Sequence, residues 1–405
     1  MEYDAKAVAE RIMDTLQKEH KELKSFNIMV LGKTGVGKST LINKLFSEKI
    51  TDTGYGRPVT HEIRQHKKDG FPLTIYDTPG LELGGENSAD SLIEQVRSII
   101  HKGVVSGDIS NVIHCVLYCV SVPSNRFEDA EKRFLAYFLD AASEYNVPVI
   151  IVLTQAYAKK QTQEMKKQIE QENMKAVGVI PVLAEDYEFD EDQIVKAHGM
   201  EKLAALMDSV IPEAVQKTFV SIQSVNLDLK QKKARTVVTA AATAAAVTGA
   251  TPIPFSDAAL LIPEQITMLA GITTVFGLPM EKSTLTAIVS ATIGTAGTTV
   301  LGKTIVSGLL KFIPGIGSVA GGAISAAAAA ALTAALGEAY IALLTSICKG
   351  ELLMSDISGE KGKQTMAELF QRQLKLKRNG KGRPSQNLCK PPMWCRIEAP
   401  HWRFL

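Results

Sequence analysis

Gly32-Lys33-Thr34-Gly35-Val36-Gly37-Lys38-Ser39 fits the pattern GxxxxGK[ST] at every fixed position. Glycines at this spacing let successive backbone N–H groups converge on phosphate oxygens. Lys38 is placed to reach the β- and γ-phosphates of a nucleoside triphosphate, and the Ser39 hydroxyl to ligate Mg2+. With Thr40, which follows directly, Gly32, Lys33, Thr34, Gly35, Val36, Gly37, Lys38 and Ser39 make the expected phosphate-binding run. A glycine-rich turn without a ligand is the bland alternative. The flanks argue against it: the apolar run FNIMVL (26–31) precedes the motif and an amphipathic run follows. A helix starting near Lys38 brings its positive end to the same anion.

Two further groups belong to this chemistry. Asp77-Thr78-Pro79-Gly80 closes the apolar run LTIYD. A carboxylate there can hold Mg2+ through water, and the Gly80 N–H can donate to a γ-phosphate. Thr60 lies between the two motifs in a polar stretch and can offer the metal a second hydroxyl. The expected metal set is therefore Ser39, Thr60 and Asp77, and the groups expected at the reacting phosphate are Lys38, Thr60 and Gly80. An ordinary turn at Asp77–Gly80 and an edge-strand threonine at position 60 are the competing readings. His61 and His66 read as surface residues, and His114, inside an apolar run, as a packed core histidine.

These residues need a scaffold, and the rest of the pattern supplies one. Apolar runs at 26–31, 73–77, 111–120, 147–154 and 179–184 alternate with helix-like stretches at 38–46, 89–102, 125–144, 159–172 and 198–215. Short β-rich runs between helices indicate a largely parallel sheet covered on both faces. The stretch 57–68 alternates enough to be an edge strand. The fold class expected for 25–217 is an α/β three-layer P-loop NTPase domain. Residues 1–24 should form one amphipathic helix packed on the domain that follows, with a dimer or membrane contact as the alternative.

Composition changes abruptly at 236. From there to 337 the only charged residues are Asp257, Glu264, Glu281, Lys282, Lys303 and Lys311, among Ala, Gly and Thr. The expectation for 218–350 is an all-α, Ala/Gly-rich hydrophobic domain. The uncharged stretches 283–302 and 312–337 are long enough to cross a bilayer. Their Thr, Ser, Gly and Ala content contributes little transfer energy and favours a soluble or peripheral bundle. Small residues at Gly317, Gly321, Ser325 and Ala329 permit close helix approach. Asp257 suits a helix start. Residues 351–405 read as a polar, then basic, tail.

The chain has 405 residues, 45 Lys plus Arg against 43 Asp plus Glu, and five cysteines. A net charge of +2 gives no whole-chain case for nucleic acid, which is expected not to be a partner. The cysteine count is no disulfide scaffold, and Cys389 and Cys395 have no second pair to complete a zinc site. The N-terminus is charged and carries no apolar signal core, so a reducing, cytoplasmic setting is expected, with membrane association of the helical part as a variant.

GKTGVGKST, Thr60 in RPVTHEI and DTPG resemble the first three motifs of translation-factor-related P-loop GTPases, especially the Era-like and septin-like branch. The resemblance implies a GTP/GDP switch with Mg2+, moving near Thr60 and after Gly80. It also places Leu81 where the Ras-like proteins carry a catalytic glutamine. Leu81 cannot polarise water, so slow turnover, aided by another group, a partner or a monovalent cation such as K+, is implied. The base-reading motif [NT]KxD aligns with Thr154, Gln155, Ala156 and Tyr157. Thr154 fits, Gln155 replaces lysine, and Tyr157 stands where the guanine-reading aspartate should be. Ala184 in PVLAED falls at the final motif, whose backbone N–H contacts the guanine oxygen. GTP is favoured over ATP or relaxed specificity on overall resemblance. The stretches TGATPIPFSDAALLIPEQITMLAGITTVFG and FIPGIGSVAGGAISAAAAAALTAALGEAY resemble the helical domain of unknown function in YcjF-type proteins. Together these imply a switch whose helical half meets a membrane surface, a hydrophobic protein partner or another copy in nucleotide-dependent self-association.

Overall fold

The computed structural model describes residues 5–46, 63–68, 70–78, 88–124, 129–172, 174–190, 193–250, 262–292 and 326–378. Thr60, His61, Gly80, Leu81, Asp257, Gly317, Gly321, Ser325, Cys389 and Cys395 lie outside them, as do all of 293–325 and the basic end after 378.

The sheet half follows the alternation of the sequence. β1 (Phe26–Leu31) leads into the phosphate loop and α2 (Lys38–Phe46). β2 (Arg64–Lys68) and β3 (Phe71–Asp77) form an antiparallel edge. Then come α3 (Ser88–Val105), β4 (Cys115–Ser121), α4 (Asp129–Ser143), β5 (Val149–Thr154), α5 (Lys159–Gln171) and β6 (Gly178–Pro181). The order across the sheet is β2-β3-β1-β4-β5-β6, and every pairing except β2–β3 is parallel. The chain passes from β3 on one side of β1 to β4 on the other. This is the topological switch point beside which open α/β sheets hold ligands.

Period-two alternation feeds two cores. Phe26, Ile28 and Val30 point to one face with α1 (Ala5–Glu22), α2 and the helices after the sheet. Met29 and Leu31 point to the other face, with Leu92 and Val96 of α3, Leu135 and Phe138 of α4 and Ile169 of α5. Asn27 is buried between them, and its amide donates to Ser110 O (2.7 Å) and Val112 O (2.8 Å). His114 is a core residue: its Nδ1 accepts from the Asn27 N–H at 2.9 Å, its Nε2 lies 2.8 Å from Ile109 O, and its ring stacks on Phe26.

Three features differ from the sequence expectation. The stretch 198–215 is two helices, α6 (Met200–Val210) and α7 (Glu213–Ile222), because Pro212 forces the preceding residue out of helical geometry. A hairpin, β7 (Tyr187–Asp190) and β8 (Gln193–Val195), follows β6. The segment 360–378, expected within the tail, is a helix with Met366 fully buried.

The helical half is built from α8 (Leu227–Ala250), α9 (Ile262–Phe276), α10 (Lys282–Thr292), α11 (Ala326–Cys348), the short α12 (Met354–Ile357) and α13 (Glu360–Arg378). α8 and α11 pack along each other, and α9 packs on α8; Gly337 of α11 faces Val238 and Met268, where an added Cβ would sit 2.5 Å from Val238 Cγ2. α1 packs chiefly on α9 and α10 rather than on the sheet that follows it. Salt bridges join its Glu10 to Lys282 and its Glu19 to Lys217. Among the described residues, Ala329–Cys348 alone is long and apolar enough to cross a membrane, and most of it is buried inside the protein.

Candidate nucleotide site

The C-terminal ends of β1, β3, β4 and β5 meet at one rim. β1 ends at Leu31, and the loop that follows has backbone geometry suited to glycine: φ is +145° at Gly32, +77° at Gly35 and +89° at Gly37. At Gly32 the need is also steric, since a Cβ would lie 2.5 Å from Cys119 O of β4. Val36 is buried and anchors the loop's middle, while Thr34 and Gly35 are exposed. α2 then starts at Lys38, with Ser39 and Thr40 half-buried in its first turn. The positive end of α2 and the glycine amides of the loop thus adjoin at one rim.

Lys38 folds over the loop, its Nζ donating to Gly32 O (2.9 Å) and Lys33 O (3.1 Å). Burial lowers its pKa, and the charge of Asp77 opposes that shift. Asp77 sits at the end of β3 in register with Val30. The next residue ties the two strand ends together: Thr78 donates to Val30 O from both its N–H (3.2 Å) and its hydroxyl (3.1 Å). Burial raises the Asp77 carboxyl, with Lys38, His66 and Arg64 pulling it back down. His66 is half-buried on β2, not a purely surface group.

The metal fit can be tested on Asp77 itself. Its Oδ1 is buried and accepts no hydrogen bond among the described residues. An orphaned buried carboxylate oxygen beside a phosphate loop suits a hydrated Mg2+ held between Asp77 and Ser39. Thr60 and Gly80, the other members of the expected set, lie outside the described residues.

The base side of the rim is built by β5 and the turn after β6. Thr154 is buried, donates to Val120 O at 3.2 Å, and lies under Gly37. Gln155 has φ +55°, a left-handed conformation that turns its side chain back across the rim. Its Oε1 accepts from Ser121 Oγ (2.7 Å) and its Nε2 donates to Gly35 O (3.4 Å). Gln155 thereby connects the β5 loop to the phosphate loop. Ala184 is half-buried in the turn after β6. Tyr157 stacks on Tyr187 of the hairpin at 4.2 Å and 9°, with Phe189 edge-on at 5.5 Å.

The sequence reading missed three groups here. Ser121 ends a strand and gave no motif. The aromatic hairpin is short and flanked by charge. Lys33 was placed only in the phosphate-binding run, and its Nζ lies 3.0 Å from Glu131 Oε2 of α4.

Comparison with known proteins gives matches in both halves of the chain. Residues 27–177 match the family model described as a 50S ribosome-binding GTPase, and residues 216–379 match a domain of unknown function, DUF697. Cell division control protein 10 of Candida albicans is 28% identical over 208 residues, covering 44% of this chain and 57% of that protein. Human Septin-12 is 26% identical over 207 residues, covering 45% of this chain and 56% of that protein. The chain thus spans a little over half the length of these relatives. Among solved structures, Toc33 from Arabidopsis thaliana in complex with GDP and Mg2+ is similar at TM-score 0.32 and 20% identity, over 53% of this chain and 92% of that one. Era in complex with MgGDPNP and nucleotides 1506–1542 of 16S ribosomal RNA is similar at TM-score 0.31 and 17% identity, over 49% and 68%. That RNA complex corrects the expectation that nucleic acid is not a partner: a balanced net charge does not exclude RNA where a similar protein holds it.

Proposed function

We propose that the chain, which carries a P-loop GTPase domain followed by a DUF697 helical domain, is a GTP-controlled switch with slow Mg2+-dependent hydrolysis. The observation that carries this reading is the convergence at the sheet rim: glycine amides, Lys38 and the first turn of α2 on one side, and the unsatisfied Asp77 carboxylate on the other. Lys38 and the loop amides would hold the β- and γ-phosphates. Ser39, Thr60 and Asp77 would hold Mg2+, which neutralises phosphate charge. Thr60 and Gly80 would sense the γ-phosphate. Leu81 offers no group to orient water, which favours slow turnover assisted by K+ or a partner.

Coupling to the helical half has a physical route. α2 begins at Lys38 and ends against the α7–α8 turn, where Ser224 donates from N–H to Leu45 O (3.0 Å) and from Oγ to Lys44 O (3.1 Å). A shift of α2 at the phosphate end would therefore be felt at the root of α8. The helical half would then meet a membrane surface, a hydrophobic partner or another copy. The scarcity of charge between 236 and 337 supports this part.

A second reading, relaxed base specificity, draws on Tyr157, whose stacked ring takes the place of a double hydrogen-bond acceptor. The test is phosphate release from GTP and from ATP by the full chain, with and without K+, beside Lys38→Ala. We expect slow GTP turnover raised by K+ and abolished in the variant. Equal release by wild type and variant would refute hydrolysis at this site, and preference for ATP would select the second reading.

A further inference from the structure

Lys33 is held from two directions. Its carbonyl accepts the Lys38 ammonium at 3.1 Å, and its own ammonium lies 3.0 Å from Glu131 Oε2. Glu131 is 3% exposed, in the first turn of α4, whereas the Lys33 side chain is 30% exposed. Beneath them is Tyr118 of β4, fully buried. Burial drives its phenol well above 10, and the Glu131 charge adds to that push. A carboxylate buried against a neutral phenol needs a counter-charge, and the partner it takes is the second residue of the phosphate loop. The positive end of α4 favours the same ionised form. Breaking such a pair strands a buried charge, so the loop and α4 are bound as one unit.

We propose that Glu131 is a positioning residue for the phosphate loop, acting through Lys33. The inference rests on the GTP-binding reading above. Glu131 fixes the Lys33 side chain, and the Lys33 backbone in turn places a carbonyl that orients Lys38. The pair also neutralises Lys33, so that Lys38 meets the triphosphate without a second mobile cation beside it. α4 packs on α3, and just past its end Glu144 pairs with Arg97 of α3 (3.2 Å).

The test is a mutant cycle in the full chain with Mg2+, reading the Kd of a fluorescent GTP analogue and of its GDP counterpart, and the melting of nucleotide-free protein. The variants are Glu131→Gln, Lys33→Met and both together. Loss of one charge-assisted contact predicts that Glu131→Gln weakens both nucleotides about ten-fold. If Glu131 works through Lys33, the same change in the Lys33→Met background should alter affinity less than about two-fold. Should Glu131→Gln not fold, the more exposed Lys33 carries the test: Lys33→Met should lose about ten-fold, and Lys33→Arg, which keeps the ion pair, should recover it. Equal weakening by Glu131→Gln in both backgrounds overturns the proposal. So does unchanged or tighter binding with only a lowered melting temperature, which would mark a packing role. Wild-type protein that binds no GTP would refute the function reading itself, whereas normal wild-type binding with a failed cycle refutes only the role of Glu131.

Discussion

The two halves of this chain spend their polar groups differently. In the sheet half, polar side chains gather at the carboxyl rim, and one buried oxygen there, on Asp77, is left without a partner. In the helical half the buried ammonium of α8 is satisfied internally, although Glu264 Oε2 and Thr333 Oγ1 are buried without a partner among the described residues. Lys230 of α8 is 4% exposed, and its Nζ donates to Val220 O (2.8 Å), Ser221 O (2.9 Å), Phe276 O (2.9 Å) and Val275 O (3.2 Å). Those carbonyls are the C-terminal ends of α7 and α9, where backbone acceptors are orphaned and the helix dipole is negative. Burial pulls the ammonium down to about 7, and its three N–H donors are shared among the four carbonyls. Tyr340 and Thr273 satisfy each other at 2.7 Å. An unsatisfied group at a rim is an offer to a ligand, and a satisfied knot in a core is a structural fastening.

That contrast can be broken where it is strongest. Lys230→Met keeps the stem and removes the ammonium, leaving four buried carbonyls without their donor. The expected cost is about 3 kcal/mol or more of folding stability, read by chemical denaturation of the full chain. A cost below about 1 kcal/mol, which is the scale of an ordinary exposed pair, would mean the knot is not a fastening.

A smaller effect sharpens the contrast by pH. His114 accepts the Asn27 N–H at Nδ1, so it is held neutral, and burial lowers its pKa below 6.5. The unfolded chain takes up this proton first. Stability is thus complete above the unfolded value and declines as pH falls below about 6.5, by at most about 1.4 kcal/mol per pH unit for this one group. Residues 227–348 contain no histidine. The acid-dependent loss between pH 6.5 and 5 should therefore belong to the sheet half and shrink in His114→Gln, with denaturation followed at both pH values. An unchanged pH profile in that variant would assign the loss elsewhere.

Much of the sheet half was legible because its physics is local. FNIMVL is β1 residue for residue, and GKTGVGKS bends where its glycines permit. The break at Pro212 between α6 and α7 was missed, because the apolar period runs on at both sides of it. The rest was not local. α1 finds its partners, α9 and α10, some 250 residues downstream, and no periodicity in residues 5–22 names them. Lys33 and Glu131 are far apart in sequence and meet only because β4 lies beside β1. The helix Glu360–Arg378 was hidden by its many charges, though Met366 marks an apolar stripe.

The most direct measurement is equilibrium binding of a fluorescent GTP analogue to the full chain with Mg2+, wild type beside Lys38→Ala. Removing the one ammonium aimed across the loop should weaken binding by about a hundred-fold or more, a loss of about 2.7 kcal/mol, with the fold retained by circular dichroism. Equal affinity in the two proteins would contradict the account, because the triphosphate would then be held somewhere other than the rim of the sheet.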